Sequence, residues 1–314
     1  MAYRFLLSIL LIKLLSANIV KYGGEFYMDG QNARNAGMGG YSVSFSDGSN
    51  PALLVHASEP SVHFSHKNKF TGLADVNSFS YLYQGENSPI FVSLLSRRVK
   101  HIPDTRSAWI DDGDDIYDDG EVIQYDKIKM VSQQEIGVKI ASIRTYNQIT
   151  LGINVKPFYT GLAEYNAWGL SGDIAAIYSP FNKSEFNLRI EDIINFKSWN
   201  TGTIETFRPL IMAGVQIQFL SLLFGVEAGS RLEQNSRLNY HGGVEFQQHE
   251  NLFLRGGISG DSKFSVGIGL HLKMVGIDYA YVHPPKDYPF QASHIISTSF
   301  YLEKLNQIKG KIKP

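Results

Sequence analysis

Hydrophobic and polar residues alternate strictly over much of the chain, and the stretch KFSVGIGLHLK (263–273) shows the pattern most clearly. Phe264, Val266, Ile268, Leu270 and Leu272 fall on one side, and Ser265, Gly267, Gly269 and His271 on the other. Side chains of an extended strand leave opposite faces in turn, so this is a half-buried strand. The same rhythm puts Ile136, Val138 and Ile140 against Gly137 and Lys139, and Ile149, Leu151, Ile153 and Val155 against Gly152, Asn154 and Lys156. Phe224 and Val226 oppose Gly225 and Glu227, while Tyr240, Val244 and Phe246 oppose His241 and Glu245.

The rhythm predicts strands near 61–70, 77–85, 89–98, 133–143, 147–158, 165–179, 185–195, 207–220, 222–230, 238–248, 251–260, 263–273, 274–284 and 291–302. That is about 14, each near the length a tilted membrane strand requires. A soluble sandwich also alternates, with its oily face inward. A membrane barrel inverts the arrangement: the oily face meets lipid and the small and polar residues line the interior. Persistence of long strands in even number, with little helical periodicity in the second half, favours the barrel. The expected fold is therefore all-β, a closed antiparallel transmembrane β-barrel. Its interior face would carry Lys139, Lys156, Glu227, Glu245, Arg255 and His271.

The N-terminus adds a destination. MAYRFLLSILLIKLLSA sets Arg4 before an apolar run that closes on Ser16-Ala17, the layout of a secretory signal cleaved after Ala17. The run is too short to span a bilayer as a helix. A buried helix is the alternative reading of 1–17. Composition agrees with an exported strand protein: 29 glycines, 17 tyrosines, 19 phenylalanines and no cysteine among 314 residues. The absence of cysteine rules out disulfides and Cys-ligated metals. A net charge of −1 without a basic stripe gives no sign of a nucleic-acid partner. Residues 18–60 are glycine-rich and irregular, 61–302 hold the strands, and 303–314 form a basic tail, KLNQIKGKIKP beginning one residue further on.

The stretch NARNAGMGGYSVSFSDGSNPALL (32–54) resembles the N-terminal motif of the FadL-like outer-membrane barrels, especially the PorV/PorQ group. Arg34, Gly37, Met38, Gly39, Gly40, Asp47, Asn50, Pro51 and Ala52 fit it, although Asn50-Pro51 comes earlier than in many relatives. YNAWGLSGDIAAIYSP (165–180), with Asp173 at its centre, and the closing segment through IDYAYVHPPKDYPFQASHIISTSF are similar to later family strands. Phe300 or Tyr301 would be the terminal aromatic that barrel-insertion machinery reads. The resemblance implies 14 strands around an N-terminal plug or hatch formed by 18–60. Gly37, Gly39 and Gly40 would let its backbone turn and approach the wall closely; an ordinary turn is the plainer alternative.

Two functions follow from the resemblance. A PorV/PorQ-like barrel would bind or shuttle secreted proteins in type IX secretion, with partners carrying C-terminal sorting domains and other secretion components. A FadL-like barrel would take up hydrophobic small molecules past the hatch. Either would sit among outer-membrane lipid. The acidic stretch DDGDDIYDDGE (111–121) lies between two strands and offers a calcium-loop match. Asp112, Asp114, the Ile116 carbonyl, Asp118 and Glu121 would stand at positions 3, 5, 7, 9 and 12, with Ile110 and Asp115 departing from the pattern. A solvated acidic loop is the alternative, and the protein requires no cofactor. His63 and His66 stand three apart on a strand and so face opposite sides, which does not suit one metal ion. GLSGD lacks the second glycine of a nucleophile elbow, and no zinc, phosphate-loop or dinucleotide motif occurs, so no enzyme is expected.

Overall fold

The computed structural model describes residues 18–20, 25–86, 88–111, 113, 121–233, 236–260, 263–285 and 291–303. The expected signal (1–17), most of the tail, and Asp112, Asp114, Ile116 and Asp118 lie outside the described residues. Fourteen strands form the barrel: β1 Ser61–Lys69, β2 Ala74–Gln84, β3 Pro89–Asp104, β4 Lys129–Tyr146, β5 Ile149–Leu162, β6 Tyr165–Phe181 and β7 Ser184–Trp199, then β8 Leu210–Phe219, β9 Leu222–Arg231, β10 Asn239–His249, β11 Leu252–Ser259, β12 Lys263–His271, β13 Val275–His283 and β14 Ser293–Tyr301. Each pairs antiparallel with the next, and β14 pairs with β1, from Tyr301 opposite Ser61 to His294 opposite Asn68, closing the sheet. Closure satisfies every ladder, which a sheet in lipid must do.

All fourteen expected strands are present, but β3 and β4 run well past the sequence-based bounds, to Asp104 and from Lys129. Each carries polar residues at its long end, where the lipid-type alternation stops. β3 also bulges between Val99 and Ile102, with His101 at φ +58°. β7 bulges more widely between Ile190 and Ile194, with Asp192 at φ +59°.

The oily face is the outer one. Phe264, Val266, Ile268, Leu270 and Leu272 are all exposed, whereas Ser265 is 3 % exposed. Aromatic residues bound the band. Trp168 and its cross-strand neighbour Tyr159 stand on the outer surface toward one end, and Tyr178, Phe181 and Phe186 toward the other. Trp168 and Tyr178 are ten residues apart, about 33 Å along a strand. Tilted by about 40°, that spans roughly 25 Å, the height of the apolar band in such barrels. The two ends differ. Turns at 147–148, 182–183 and 220–221 are tight, while the opposite end carries the connections from Asp104 to Lys129, Trp199 to Leu210 and His283 to Ser293.

Residues 25–57 lie inside. A helical turn, α1 (Glu25–Met28), packs Phe26 and Tyr27 against Val76, Leu95 and Phe158 toward the long-loop end. A second, α2 (Ala33–Gly37), is capped by Asn32 and sets Ala33 and Ala36 against Ala280 and Ile295. Pro51–His56 forms a 3-10 turn capped by Asn50, with Ala52 and Leu53 against Ala175 and Ile177. The chain then leaves at the short-turn end to begin β1. At the other extreme, Asn18–Ile19 pairs in parallel with Glu205–Thr206 in a long loop.

Candidate functional site: the lumen and its inner segment

Polar residues that point outward from an extended strand meet lipid here, so charge collects inside, and the lumen is built from paired charges. Arg34 of α2 makes a two-pronged contact with Glu245 of β10, at 2.7 and 2.9 Å. Glu245 also accepts from Arg255 of β11 at 2.6 Å, Arg255 reaches Asp278 of β13 at 2.7 Å, and His271 closes the chain on Asp278 at 3.0 Å. Across the lumen Lys156 bridges Asp173 at 2.6 Å and Asp192 at 2.8 Å, and Arg189 joins Glu227 and Glu191. Near the long-loop end, Asp29 of the inner segment sits among Lys67, Lys69 and Arg97. Burial opposes its ionisation, but those three cations outweigh burial and hold its carboxyl well below the usual carboxylate range.

The wall receives the inner segment closely at the glycine run of the motif. Gly39 and Gly40 have φ +73° and +87°, and a Cβ on Gly39 would stand 2.6 Å from the Ile258 nitrogen. The Gly39 amide donates to Ser265 Oγ, and its carbonyl accepts from His241. Met38 is fully buried, and Gly37 abuts Gly267. Asp47 ties the segment to itself: its carboxylate accepts from the Asn32 amide, the Asn35 side chain and the Ser49 amide at 2.8–3.1 Å. Asn50 and Pro51 begin the turn after it.

On the β2–β5 side, three successive backbone carbonyls are held by wall side chains. Ser80 Oγ donates to Ser46 O at 3.2 Å, Lys139 Nζ to Asp47 O at 2.8 Å, and Asn154 Nδ2 to Gly48 O at 3.1 Å. This bend separates two cavities. One, about 730 Å³, faces the long-loop end and is lined by Asp47, Gly48 and Ser49 together with Lys139, Lys156 and Arg189. The other, about 200 Å³, faces the short-turn end and is lined by Ser44, Phe45 and Ser46 with many wall serines. Lysines and arginines outnumber carboxylates around the larger one, which also carries Tyr27, Met28 and Val282.

The six interior residues expected from alternation all face the lumen: five are buried there and His271 half-buried. Partners outside those six are Asp29, Arg189, Asp192, Asp278, Ser80 and Asn154, the last already on the inner side of the alternation. Asp192 was hidden by the bulge that turns it inward. His63 is buried between Ser61 and Ser299, while His66 faces outward to Asn77. Of the acidic loop, Glu121 accepts from Trp109 Nε1 at 2.8 Å, and among the described residues no cluster of three His, Asp or Glu could hold a metal ion.

A closed, lipid-facing barrel around an internal segment defines the class: a transmembrane β-barrel with the fold of the FadL-type channels. No protein-family model and no curated protein matches the sequence. Among solved structures, the Pseudomonas putida toluene transporter TodX is similar at TM-score 0.63 and 12 % identity, over 87 % of this chain and 99 % of that one. The CymD monoaromatic hydrocarbon channel follows at 0.57 and 11 %, over 88 % and 98 %. A Pseudomonas aeruginosa FadL homologue is similar at 0.52 and 10 %, over 86 % and 97 %. These likenesses are of fold, and they lend no support to a role in protein secretion.

Proposed function

We propose that the protein is an outer-membrane channel of FadL type for the uptake of small molecules with a hydrophobic body. The long loops would face the outside, as in other barrels of this kind. The observation that carries the reading is the pair of cavities opening toward opposite ends and parted only by the inner segment. A permeant would enter the larger cavity, the bend at 46–48 would give way, and the permeant would leave past the serine-lined chamber. The similar structures, a toluene transporter and a monoaromatic hydrocarbon channel, support a hydrophobic permeant.

The test is uptake of labelled aromatic and aliphatic compounds by cells whose outer membrane lacks other FadL-type channels, with and without this protein. Faster uptake on expression is the expected result. Unchanged uptake, together with crosslinking to secreted proteins through their C-terminal domains, would overturn the reading in favour of the PorV/PorQ-like role.

A further inference from the structure

The apolar belt on the outer wall is not of one height. Partners across the sheet form a row at right angles to the tilted strands. Such a row descends as it goes round, by about 3 Å per strand at a tilt of about 40°. The row that starts at Trp168, near the long-loop end, passes Tyr159, Ile136, Ser96 and Asn77 to His66. Six strands further on it reaches Leu222, beside the tight turn at 220–221, which fixes the direction of descent. Five steps put His66 about 15 Å below Trp168, past the middle of a belt roughly 25 Å tall. On β5 the outward residues stay apolar all the way from Ile149 through Val155 to Tyr159. On β2 the outward series is Tyr83, Tyr81 and Phe79, and then Asn77 and Asp75. β1 likewise turns polar at His66, and β3 at Ser96 with Arg98 above it.

These outward polar groups form one patch. His66 Nδ1 and Asn77 Oδ1 are 2.8 Å apart, Asn68 Nδ2 donates to Asp75 at 3.4 Å, and Lys100 Nζ donates to Asp75 at 2.6 Å. Arg98 is exposed and, among the described residues, forms no ion pair. On β12–β14 the aromatic residues come down to the same level. Phe264 stacks on His283 at 4.5 Å, and Tyr281 lies against His294 at 5.5 Å. Tyr281 faces His294 and His294 faces Asn68, which sets Tyr281 at about the height of His66. Aromatic rings with polar neighbours mark the level where acyl chains give way to headgroups. We propose that the outer face of β1–β3 above His66 is a seat for lipid headgroups. The outer leaflet dips beside the β14–β1 seam, and its phosphates and water meet this wall, with Arg98 as a partner for phosphate. Thinning the bilayer costs a modest amount per ångström of mismatch, less than stripping water from the whole patch. A protein partner fits less well, because the patch lacks the apolar anchor on which the core of such an interface is built. The inference depends on the closed barrel and not on what passes through it.

Because the chain has no cysteine, single thiols can report depth. Asn77 lies three strands on from Tyr159, about 9 Å lower, and Val155 lies four residues below Tyr159 on β5, about 10 Å lower. Asn77→Cys and Val155→Cys therefore compare the short and the tall side at one height. The purified full-length protein, in liposomes of phosphatidylcholine and phosphatidylglycerol, is treated with a membrane-impermeant sulfonated maleimide, and so are intact cells. Asn77→Cys should react at least tenfold faster than Val155→Cys in both. A ratio near one, whether both are fast or both slow, overturns the inference, since lipid then treats the two sides alike. Fast reaction in liposomes with protection in cells overturns it in favour of a covering protein. Disulfide dimers of Asn77→Cys under oxidant, where Val155→Cys gives none, overturn it in favour of a second copy of the chain. Should Asn77→Cys not assemble, His66→Cys on the next strand takes its place with the same expected ratio.

Discussion

Along β10–β12 the inner segment meets the barrel backbone to backbone, with Gly39 against Ile258 and Gly37 against Gly267, while Arg34 is locked into the chain Glu245–Arg255–Asp278. Along β2, β4 and β5 it packs closely through Tyr27 at Gly137 and Ala52 at Gly152, but between those points the bend at 46–48 is held by single hydrogen bonds from Ser80, Lys139 and Asn154 to carbonyls. The first kind of contact has no slack: close-packed backbones and paired buried charges have one good arrangement. The second can be exchanged bond for bond. The segment is thus anchored along β10–β12 and latched at the bend, where the two cavities meet.

The severest way to break that contrast is to fill the anchor. A side chain at Gly257 would run into the backbone of Gly39, and neither strand nor segment can yield without moving main chain. Gly257→Val should expel residues 25–57 or prevent closure. Loss of the heat-modifiable gel band, or rapid proteolysis of the segment, is the expected readout. Next comes the charge chain. Arg255 is wholly buried between Glu245 and Asp278, and Arg255→Leu leaves both carboxylates without it, a loss of about 3–5 kcal/mol. Its denaturant midpoint should fall accordingly, whereas Lys183→Gln in a tight turn should leave it unmoved.

A third, smaller effect is pH-dependent. With its folded pKa lowered, Asp29 contributes stability above the ordinary carboxylate pKa, about 3.9, and that contribution is lost as pH falls through the folded value. Asp29→Asn should therefore lower the midpoint at pH 7, and the gap to wild type should narrow only below pH 4. A gap that closed between pH 7 and 5 would contradict the placement of Asp29 among three cations.

Much of the wall was legible in the sequence because lipid imposes a rule on every second residue. Phe264 to Leu272 obey it, and so do Ile149 to Val155. The rule fails where lipid stops or the backbone bulges. Hence the ends of β3 and β4 were missed, as was Asp192, which φ +59° turns inward beside Lys156. The lumen was legible only as a list. Alternation put Lys139 and Lys156 on the inner face but could not say that one lies between two carboxylates and the other on a carbonyl. Those partners come from β6, β7 and the inner segment, far apart along the chain. Ser80 was still less visible, since an inward serine is what any barrel interior holds.

The smallest predicted effect tests the latch at that least visible residue. Ser80→Ala removes the neutral hydrogen bond to Ser46 O and one to Ser93 on the next strand, each worth about 1 kcal/mol, and leaves Lys139 and Asn154 in place. The barrel's denaturant midpoint should fall by no more than those two bonds are worth, because the rest of the wall is untouched. The bend at 46–48 should nonetheless open more often, so the Ser46→Cys maleimide rate, read in the presence of Ser80→Ala, should rise a fewfold without any permeant. The matched change on the anchor side, Ser265→Ala, removes the acceptor of the Gly39 amide, and there the order should reverse. Stability falls measurably because Ser265 holds both the Gly39 amide and the Gly37 carbonyl, and the amide keeps only its bond to Ala36 O, while labelling at 46 stays slow. If both substitutions raised the labelling rate equally, the segment would move as one body and the division into anchor and latch would be wrong.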